Sequence, residues 1–463
     1  MAKKPVTTYR CSHCGWTTTK WVGRCPQCGE WNTLEEVAQP LVSPAQSGGR
    51  GVRAPHAPAR PITDVPSTAS EKSSTGVAEL DRVLGGGLVP GAVILLAGEP
   101  GVGKSTLLLD VAAHTASAGG KPVLYVSGEE SSSQVRLRAE RIGAMDPNLY
   151  LASESDVDEI IAQAAQLTPS LLVVDSVQTI QDPDTDGAMG NVAQIRAVTA
   201  RLVALAKAQS MPTLVVGHVT KDGTIAGPRV LEHLVDVVCQ FEGDQHSELR
   251  MVRAVKNRYG PTDEVGCFVL TEDGIVGLPD PSGLFLSSRE RHVPGACVTI
   301  ALEGRRPLPV EIEGLVVPTG GPPRRTTSGV DSPRVAMAVA VLQSRLGFQL
   351  DRRDVFVSTV GGARAAEPAT DAAICLALAS AQMDLPIAGG VAACGEVSLT
   401  GELRPVQGVS QRIAEAERLG FTRMVIPRQK THRGKARTHT AIDVVECSDL
   451  QDAIEAVLPL HAS

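Results

Sequence analysis

Short runs of apolar residues alternate, over residues 73–285, with segments in which apolar residues recur at helical spacing. The runs are typical of buried parallel strands, and they comprise Val93–Ala97, Val123–Ser127, Leu171–Asp175 and Thr213–Gly217. Two further strands, at Leu234–Glu242 and Arg250–Lys256, indicate antiparallel hairpins. The pattern predicts an α/β domain whose largely parallel sheet is covered by helices on both faces.

A second α/β pattern fills residues 286–463 and contains no phosphate-binding loop. It begins with segments interrupted by Pro and Gly, and regular elements follow them. The predicted elements are a helix at Arg334–Leu346, a strand at Val355–Thr359, and helices at Ala369–Gln382 and Val409–Leu419. We therefore expect a second α/β domain with a different role.

The first 72 residues follow neither pattern. All 3 tryptophans lie within residues 1–36, which indicates a small separate module. Residues 37–72 are rich in Pro, Ala, Ser, Gly and Arg and lack apolar periodicity. We expect them to form a flexible linker.

Composition restricts the class of protein. A chain of 463 residues with 43% hydrophobic and 21% charged residues is typical of a soluble protein with two or three domains. No apolar run approaches the ~20 residues of a membrane span, and the N-terminus lacks the apolar stretch of a secretory signal. These features predict a cytoplasmic location and no membrane partner. The net charge of −7 neither favours nor excludes a nucleic-acid partner.

Four of the ten cysteines form two C-x-x-C pairs in residues 1–36, at Cys11, Cys14, Cys25 and Cys28. A glycine after each pair allows a tight turn around a metal, and four thiolates suit tetrahedral Zn²⁺. Iron in the same geometry is the alternative. A segment this small cannot bury enough core without the metal, so we expect a structural zinc finger.

Residues 98–105 read Gly-Glu-Pro-Gly-Val-Gly-Lys-Ser, which is the G-x-x-x-x-G-K-[ST] pattern of a phosphate-binding loop. Lys104 is expected to reach the β- and γ-phosphates, and the Ser105 hydroxyl is expected to bind Mg²⁺. The pattern predicts a bound nucleoside triphosphate. The residues expected to contact it are Gly98, Glu99, Pro100, Gly101, Val102, Gly103, Lys104, Ser105 and Thr106.

Further polar residues follow the predicted strands. Asp175 ends an apolar strand and is expected to hold Mg²⁺, although such a residue can also cap a turn. Glu129 or Glu130 could orient the attacking water, although adjacent carboxylates can also be solvated charges at a helix start. Gln178 and His218 lie just past strand ends and could sense the γ-phosphate.

Several segments of the chain resemble known families. Thr75–Asp81, Leu84–Leu88 and Gly91 resemble the entry to the RecA-like ATPase core. The segments Tyr125–Ser131 and Lys256-Asn257-Arg258-Tyr259-Gly260, together with the four-cysteine finger, resemble the RadA (Sms) family of bacterial DNA repair proteins. The resemblance covers essentially the whole chain.

This resemblance implies specific roles for residues and specific partners. It aligns Glu129 with the catalytic glutamate of the RecA-like core, and it assigns Lys256 and Arg258 to a motif needed for activity. These cations could act on the ATP of a neighbouring subunit, like an arginine finger, or they could contact DNA. The implied partners are single-stranded and branched DNA, the RecA recombinase and further copies of the chain in a hexameric ring.

The third block resembles the proteolytic domain of Lon, through Asp354–Thr359, Glu367–Ala373 and Gly395–Glu402. The catalytic Ser and Lys of Lon correspond here to Ala369 and Ser410, so a Ser–Lys mechanism lacks both of its groups. The expected fold class is therefore α/β, comprising a four-Cys zinc finger (1–36), a linker (37–72), a RecA-like ATPase domain (73–285) and a proteolytically inactive Lon-like domain (286–463).

A basic run at Arg423–His439 in this last block could contact DNA or could be a solvated loop. The leading functional hypothesis is a DNA-dependent ATPase of recombinational repair that drives branch migration. The alternatives are an ATP-dependent Lon-like protease and a nucleotide-switched scaffold with negligible turnover.

Overall fold

The computed structural model describes most of the chain, in two compact units that comprise residues 1–67 and 68–463. The described residues are 8–11, 17–18, 21–29, 31, 34–37, 61, 63, 72–218, 228–243, 248–287, 293–429 and 441–458. Cys14, most of the expected linker and the basic residues beyond 429 lie outside these ranges. None of the helices in the described ranges is long and apolar enough to cross a membrane.

The first unit contains a small antiparallel sheet in the order β2-β1-β3, formed by β1 (Thr8–Cys11), β2 (Thr17–Thr18) and β3 (Leu34–Val37). Cys11 ends β1, and Cys25 opens a turn in which the Gly29 N–H donates to the Cys25 carbonyl at 2.9 Å. The φ of Gly29 is +77°, a conformation that favours glycine. The two cysteines are buried.

The first α/β part of the second unit is built on a nine-stranded sheet. Its strand order is β12-β11-β10-β9-β4-β8-β7-β5-β6. Six adjacent strands, from β9 to β6, are parallel, and β10, β11 and β12 extend the sheet as antiparallel hairpins. The strands are β4 (Val93–Gly98), β5 (Val123–Ser127), β6 (Leu149–Ser153), β7 (Leu171–Asp175), β8 (Thr213–His218), β9 (Val237–Glu242), β10 (Leu249–Asn257), β11 (Val265–Thr271) and β12 (Gly274–Gly277).

Helices cover both faces of this sheet, as predicted. Residues of α1, α2 and α3 share a core with one face, and residues of α4 and α5 share a core with the other. The helices are α1 (Ala78–Leu84), α2 (Lys104–Gly119), α3 (Ser132–Arg141), α4 (Val157–Leu167), α5 (Val192–Gln209) and α6 (Pro228–Leu231).

The first α/β prediction differs from the structure at one strand boundary and omits three strands. The strand predicted at Leu234–Glu242 begins only at Val237, because the Leu234 N–H donates to Leu231 in a turn. The strands that were not predicted are β6, whose residues are exposed or only partly buried, and the hairpin strands β11 and β12. The other five predicted strands agree with the structure to within two residues.

The second α/β part of this unit is built on a seven-stranded mixed sheet in the order β15-β16-β14-β13-β17-β20-β21. A separate two-stranded sheet is formed by β18 and β19. Its strands are β13 (Ala296–Glu303), β14 (Arg306–Pro318), β15 (Arg325–Ser328), β16 (Arg353–Thr359), β17 (Val391–Ala393), β18 (Glu396–Val397), β19 (Leu403–Arg404), β20 (Arg423–Pro427) and β21 (Asp443–Cys447). Its helices are α7 (Ser282–Phe285), α8 (Ser332–Leu346), α9 (Asp371–Met383), α10 (Val409–Arg418) and α11 (Leu450–Val457). The helix predicted from Ala369 starts at Asp371, after a 3₁₀ turn at Pro368–Thr370.

A buried ion pair joins the two α/β parts of the second unit. Arg306, at the start of β14, pairs with Glu79 on α1, and both side chains are at most 6% exposed. The Arg306 guanidinium also donates to the carbonyls of Val265 at 3.0 Å, Leu278 at 3.1 Å and Pro279 at 2.8 Å. This extensive hydrogen bonding compensates the desolvation of the charges and fixes the β13–β14 turn against the nine-stranded sheet.

Candidate functional site

The phosphate-binding pattern lies between β4 and α2, at the carboxyl end of a central strand. Gly103 precedes the helix with a φ of +107°, which favours glycine. A Cβ on Gly98 would approach the Phe241 carbonyl to 2.6 Å, so a side chain is excluded there as well. The backbone therefore turns as a phosphate-binding loop requires, with the first N–H groups of α2 directed towards it.

Lys104 is the buried cation of this loop, with only 3% of its surface exposed. Its Nζ donates to the carbonyls of Gly98 at 2.9 Å and Glu99 at 2.7 Å. Burial lowers the pKa of Lys104 to about 8, although the nearby carboxylates of Asp175 and Glu129 oppose that shift. The loop therefore holds a buried ammonium group whose two partners in the structure are backbone carbonyls.

The strand ends next to the loop bring three predicted residues to the same edge. Ser127 at the end of β5 is paired with Asp175 at the end of β7, and Gly98 is paired with His218 at the end of β8. Glu129 follows two residues after Ser127. Carboxyl ends of parallel strands are where ligands bind in such sheets.

Hydrogen bonds distinguish the two adjacent glutamates. Glu129 Oε1 accepts from Ser176 Oγ at 2.6 Å and lies 3.2 Å from His218 Nε2. Glu130 instead forms an ion pair with Arg138 on α3. Of the two side chains, that of Glu129 is therefore the one that contacts residues at the ends of β7 and β8, in agreement with the alignment to the RecA-like core.

Asp175 is 8% exposed and accepts a hydrogen bond from the Tyr125 hydroxyl at 2.7 Å. Gln178, predicted as a phosphate sensor, donates to the His218 carbonyl at 3.3 Å and so supports the end of β8. The Asp175 carboxylate, which interacts electrostatically with Lys104 of the loop, offers the hard oxygen ligands that Mg²⁺ prefers.

Three residues at this edge were missed by the sequence analysis. Ser176 and Tyr125 hold Glu129 and Asp175, and their positions in or next to predicted strands could have indicated them. The third is Arg250, which is 6% exposed and lines a cavity of about 280 Å³ together with Glu99, Val102 and neighbouring residues. It is separated from the loop by about 150 residues of sequence and is brought there only by the pairing of β9 with β10.

The motif Lys256–Gly260 lies at the opposite edge of the sheet. Asn257 pairs with Val237, which pairs with Ile94 near the amino end of β4. The loop begins at the other end of that strand, roughly 13–16 Å away at ~3.3 Å per residue. The structure therefore brings Lys104, Ser105, Glu129 and Asp175 together and does not bring Lys256 or Arg258 to them.

Asp236 organises the cations around this motif. Its carboxylate accepts from Lys207 at 2.6 Å, Arg258 at 3.0 Å and the Val93 N–H at 3.0 Å. Burial opposes ionisation of Asp236, but these hydrogen bonds outweigh it and hold its pKa below the usual range. Lys256 donates to the carbonyls of Glu232 and, at 2.8 Å, Val235.

The guanidinium of Arg258 remains accessible, because its side chain is 55% exposed. The neighbouring Asn257 and Tyr259 attach the motif to the turn after α1: Asn257 Nδ2 donates to the Leu84 carbonyl at 3.4 Å, and Lys72 Nζ bridges the carbonyls of Gly85 and Tyr259. The motif thus presents an oriented cation on the surface.

The cysteines of the first unit form a metal site. The sulfur atoms of Cys11, Cys25 and Cys28 all lie within 4.8 Å of one another, and those of Cys11 and Cys28 are 3.7 Å apart. Tetrahedral zinc with Zn–S bonds of ~2.3 Å places its sulfurs about 3.8 Å apart, so the three thiolates fit this ion. Cys14, the fourth expected ligand, lies outside the described residues.

Family models agree with this arrangement. A model described as AAA domain matches residues 59–224. A zinc-ribbon model described as rubredoxin metal binding domain matches residues 9–36, and a model described as Lon protease (S16) C-terminal proteolytic domain matches residues 334–459.

Relatives match nearly the whole chain. DNA repair protein RadA of Mycolicibacterium smegmatis is 51% identical over 455 residues, which is 97% of this chain and 96% of the relative. The protein of the same name from Mycobacterium tuberculosis strain H37Rv is 51% identical, over 90% of this chain and 87% of its own length. That from Streptococcus pyogenes serotype M1 is 44% identical, over 92% and 94%.

The chain belongs to the RadA family of DNA repair proteins. It is an ATP-hydrolysing enzyme with an AAA-type ATPase domain, an N-terminal zinc ribbon and a Lon-type C-terminal domain. The resemblance stated from the motifs is thereby confirmed, as is the α/β fold class.

In the Lon-type domain of this RadA family member, the two positions that correspond to the catalytic Ser and Lys of Lon carry other residues, Ala369 and Ser410. Ala369 is 1% exposed and offers only a methyl group, and Ser410 is exposed in the first turn of α10. The adjacent Thr370 is fully buried, and its hydroxyl donates to the Glu367 carbonyl at 2.8 Å. None of these three residues offers a nucleophile with an amine base.

An ion pair between buried Arg412 and partly exposed Glu367 lies next to these positions in sequence. Arg412, which is 1% exposed, donates to both carboxylate oxygens of Glu367 at 2.7 Å and to the Ile300 carbonyl. Glu367 also accepts from the Leu302 N–H at 2.7 Å. The pair ties the turn before α9 to α10 and to β13, which gives this position a structural role.

Proposed function

We propose that the chain is a DNA-dependent ATPase of recombinational repair, which assembles into a ring and uses ATP hydrolysis to move along DNA. The observation that supports this most is the separation of its two cationic centres on one sheet. Lys104 lies at one edge, whereas Lys256 and Arg258 lie at the other. A cation that cannot reach its own ATP is suited to act on a neighbour's ATP or on DNA.

ATP would bind along residues 98–106, with Lys104 on the β- and γ-phosphates. Ser105 and Asp175 would hold Mg²⁺, which supplies charge neutralisation at the phosphates. Glu129 would orient the attacking water, because Ser176 and His218 fix its carboxylate at the edge of the sheet. The contacts of Ser176 and His218 with Glu129, and of Tyr125 with Asp175, orient both carboxylates and support turnover rather than a passive switch.

Arg258 would complete the site of an adjacent subunit. Asp236 orients its guanidinium while leaving more than half of the side chain exposed, as a finger acting in trans requires. In the alternative role, Arg258 and Lys256 would contact DNA phosphates. Both roles fit a hexameric ring around single-stranded or branched DNA, and the names of the relatives support repair as the setting.

Branch migration with the RecA recombinase is the most specific element of the proposed function. It rests on the family membership and on the RecA-like organisation of the sheet, with the phosphate loop, Glu129 and Asp175 at one edge. The Lon-type domain would contribute to assembly and DNA contact, since Ala369 removes the protease nucleophile.

A subunit-mixing experiment tests the trans role. Lys104→Ala and Arg258→Ala should each lose ATP hydrolysis in the presence of single-stranded DNA, because one lacks phosphate binding and the other lacks the finger. Equimolar mixtures should recover part of the wild-type rate, because an Arg258→Ala subunit with an intact loop can use the Arg258 of its Lys104→Ala neighbour.

The mixture also needs a control for assembly. Light scattering should show the same ring mass for the wild type, both variants and the mixture. No recovery in intact rings would contradict the trans role. In that case, weaker binding of Arg258→Ala to labelled single-stranded DNA would assign the residue to DNA contact. Absence of any DNA stimulation in the wild type would overturn the proposed function itself.

A further inference from the structure

The turn between β13 and β14 extends from the second α/β part and contacts the strand that carries the Lys256–Gly260 motif. This turn, which we call the docking turn, comprises residues 303–306. The pairing of β10 with β11 ends at Arg253 and Val265, so residues 254–264 leave that pairing as a lobe, which we call the motif lobe. The docking turn lies at the base of this lobe and contacts both of its sides.

One side of the base is held by an ion pair. Glu303 accepts a hydrogen bond from Arg253 Nη2 at 3.1 Å, and the same guanidinium lies 3.3 Å from the Glu242 carboxylate at the end of β9. Arg253 and Glu303 are both partly buried, so salt screens this pair less than it screens a fully exposed one. Lys256 and Arg258 follow Arg253 by three and five residues in the chain.

The other side of the base is held mainly through the backbone. The Arg305 N–H donates to the Asp263 carbonyl at 2.6 Å, and the Arg305 guanidinium lies 2.5 Å from the Asp263 carboxylate. Gly304 has a φ of +64°, and a Cβ at this position would approach the Asp263 carbonyl oxygen to 2.2 Å. A side chain at Gly304 would therefore push the docking turn away from the motif lobe.

The outer part of the motif lobe is attached to α1, and the docking turn holds the same helix. A Cβ on Gly260 would lie 3.3 Å from the Cα of Gly85, so the two backbones are in contact just after the end of α1. Arg306 pairs with Glu79 near the start of α1. The motif lobe and the docking turn are thus bound to the two ends of one short helix.

We propose that the docking turn is a positioning element for Arg258, through which the second α/β part sets the orientation of this cation. Asp236 accepts a hydrogen bond from the guanidinium, and the docking turn fixes the backbone that carries it. The docking turn acts through that backbone, because its contacts are with Arg253 and Asp263. Ordering a mobile lobe costs conformational entropy, so a lobe that is already held presents its cation at a lower cost. The inference rests on the proposed role of Arg258 towards a neighbour's ATP or DNA.

The Gly304→Ala variant of the full-length protein tests the inference, because it displaces the docking turn without changing a charged group. With single-stranded DNA, kcat for ATP hydrolysis should fall about tenfold or more and KM should change less than about twofold, because the phosphate loop is untouched. Hydrogen–deuterium exchange should rise in residues 254–264 and remain at the wild-type level in residues 98–106. Light scattering should give the ring mass of the wild type.

Gly347→Ala is the matched control. Gly347 also has a positive φ, of +72°, but a Cβ there would meet no atom within 4 Å. Both variants strain the backbone in the same way, and only Gly304→Ala pushes on the motif lobe. Gly347→Ala should therefore keep the wild-type kcat and exchange. Equal losses in the two variants, or wild-type values in Gly304→Ala, would overturn the inference.

A combined variant separates this inference from the proposed function. Arg258→Lys keeps a cation and a measurable rate, and adding Gly304→Ala to it should lower kcat by less than about twofold if the docking turn acts through Arg258. A further tenfold loss would contradict the inference. A wild-type kcat in Arg258→Ala would instead overturn the proposed role of Arg258, and the exchange of residues 254–264 would still show whether the docking turn holds the lobe.

A second pair of variants covers the case in which Gly304→Ala does not fold. Arg305 and Asp263 are 60% and 43% exposed, so their charges can be changed with little effect on folding. Arg305→Glu brings two carboxylates together and should lower kcat about threefold, with KM unchanged. Combining Arg305→Glu with Asp263→Arg restores an opposite pair and should recover the rate. No loss in the single variant, or no recovery in the double variant, would contradict a positioning role.

Discussion

His218 Nε2 lies 3.2 Å from Glu129 Oε1, although His218 is the last residue of β8 and Glu129 comes shortly after the end of β5. His218 ends β8, directly beside the strand that carries the phosphate loop. The contact therefore connects the carboxylate expected to orient water with the strand next to the loop, and a shift of either strand end would move that carboxylate.

We expect His218→Ala to lower kcat about tenfold with little change in KM for ATP, because Glu129 would lose one of its two orienting contacts. Glu129→Gln should lower kcat by about 10²–10⁴, the usual contribution of a general base. Steady-state kinetics with single-stranded DNA would measure both. His218→Gln can keep a donor at this position and should recover part of the rate, whereas a merely structural loss would not be rescued.

The pKa of Lys104 makes nucleotide affinity dependent on pH. The free protein loses the Lys104 proton above its lowered pKa of about 8, whereas bound phosphates hold the lysine protonated. ATP binding should therefore take up a proton above pH 8, and its affinity should fall by up to about tenfold per pH unit. Titration calorimetry in buffers of different ionisation enthalpy measures that uptake, and a constant affinity from pH 7 to 9.5 would contradict it.

The same shift has a stability consequence with a defined sign. Because the folded pKa lies below the unfolded value of 10.5, burying protonated Lys104 costs free energy below pH 8. That cost decreases between pH 8 and 10.5 as the folded protein releases the proton. The free energy of unfolding, measured by urea unfolding at several pH values, should therefore gain a contribution from Lys104 between pH 8 and 10.5. The Lys104→Met variant should lack this contribution.

Metal removal should unfold the first unit alone. Stripping the metal with a chelator leaves the thiolates of Cys11, Cys25 and Cys28 without the ion that draws them together. All 3 tryptophans lie in residues 16–31, so their fluorescence reports this unit specifically. We expect one zinc per chain by elemental analysis, a lower anisotropy of the tryptophan emission on chelation, because exposed Trp21 and Trp31 gain mobility when the unit unfolds, and retained far-ultraviolet circular dichroism from the second unit.

Iron would give a different outcome, since an iron–thiolate site absorbs visible light and a zinc site does not. Cys25→Ser provides the matched variant, because it removes one buried ligand and should reproduce the effect of the chelator. A full complement of zinc in Cys25→Ser would contradict the assignment.

The Glu367–Arg412 pair should contribute strongly to the stability of the Lon-type domain. Glu367→Ala leaves a guanidinium buried at 1% exposure, and stranding a buried charge costs about 3–5 kcal/mol. Urea unfolding followed by circular dichroism would measure the loss. Glu415→Ala, whose partner Arg418 is 49% exposed, is the control and should cost about 1 kcal/mol or less.

Much of the fold was predictable because its signals are local in the chain. The strand at Val123–Ser127 and the one at Leu171–Asp175 have the predicted bounds, since each is an apolar run ending at a polar residue. The start of α9 was misplaced at Ala369, because the 3₁₀ turn at Pro368–Thr370 has similar composition to a helix. The position of Arg250 beside the phosphate loop could not be predicted, because no pattern of neighbouring residues indicates it.

The sequence by itself determined the phosphate loop, the cysteine pairs and the loss of the protease nucleophile at Ala369. In each case the chemistry lies in residue types a few positions apart, and their spacing alone defines it. The tertiary structure decided which glutamate faces the loop and where Arg258 lies. Those relations depend on the order and register of strands distant in sequence, and that pairing set Lys104 and Arg258 at opposite edges of one sheet.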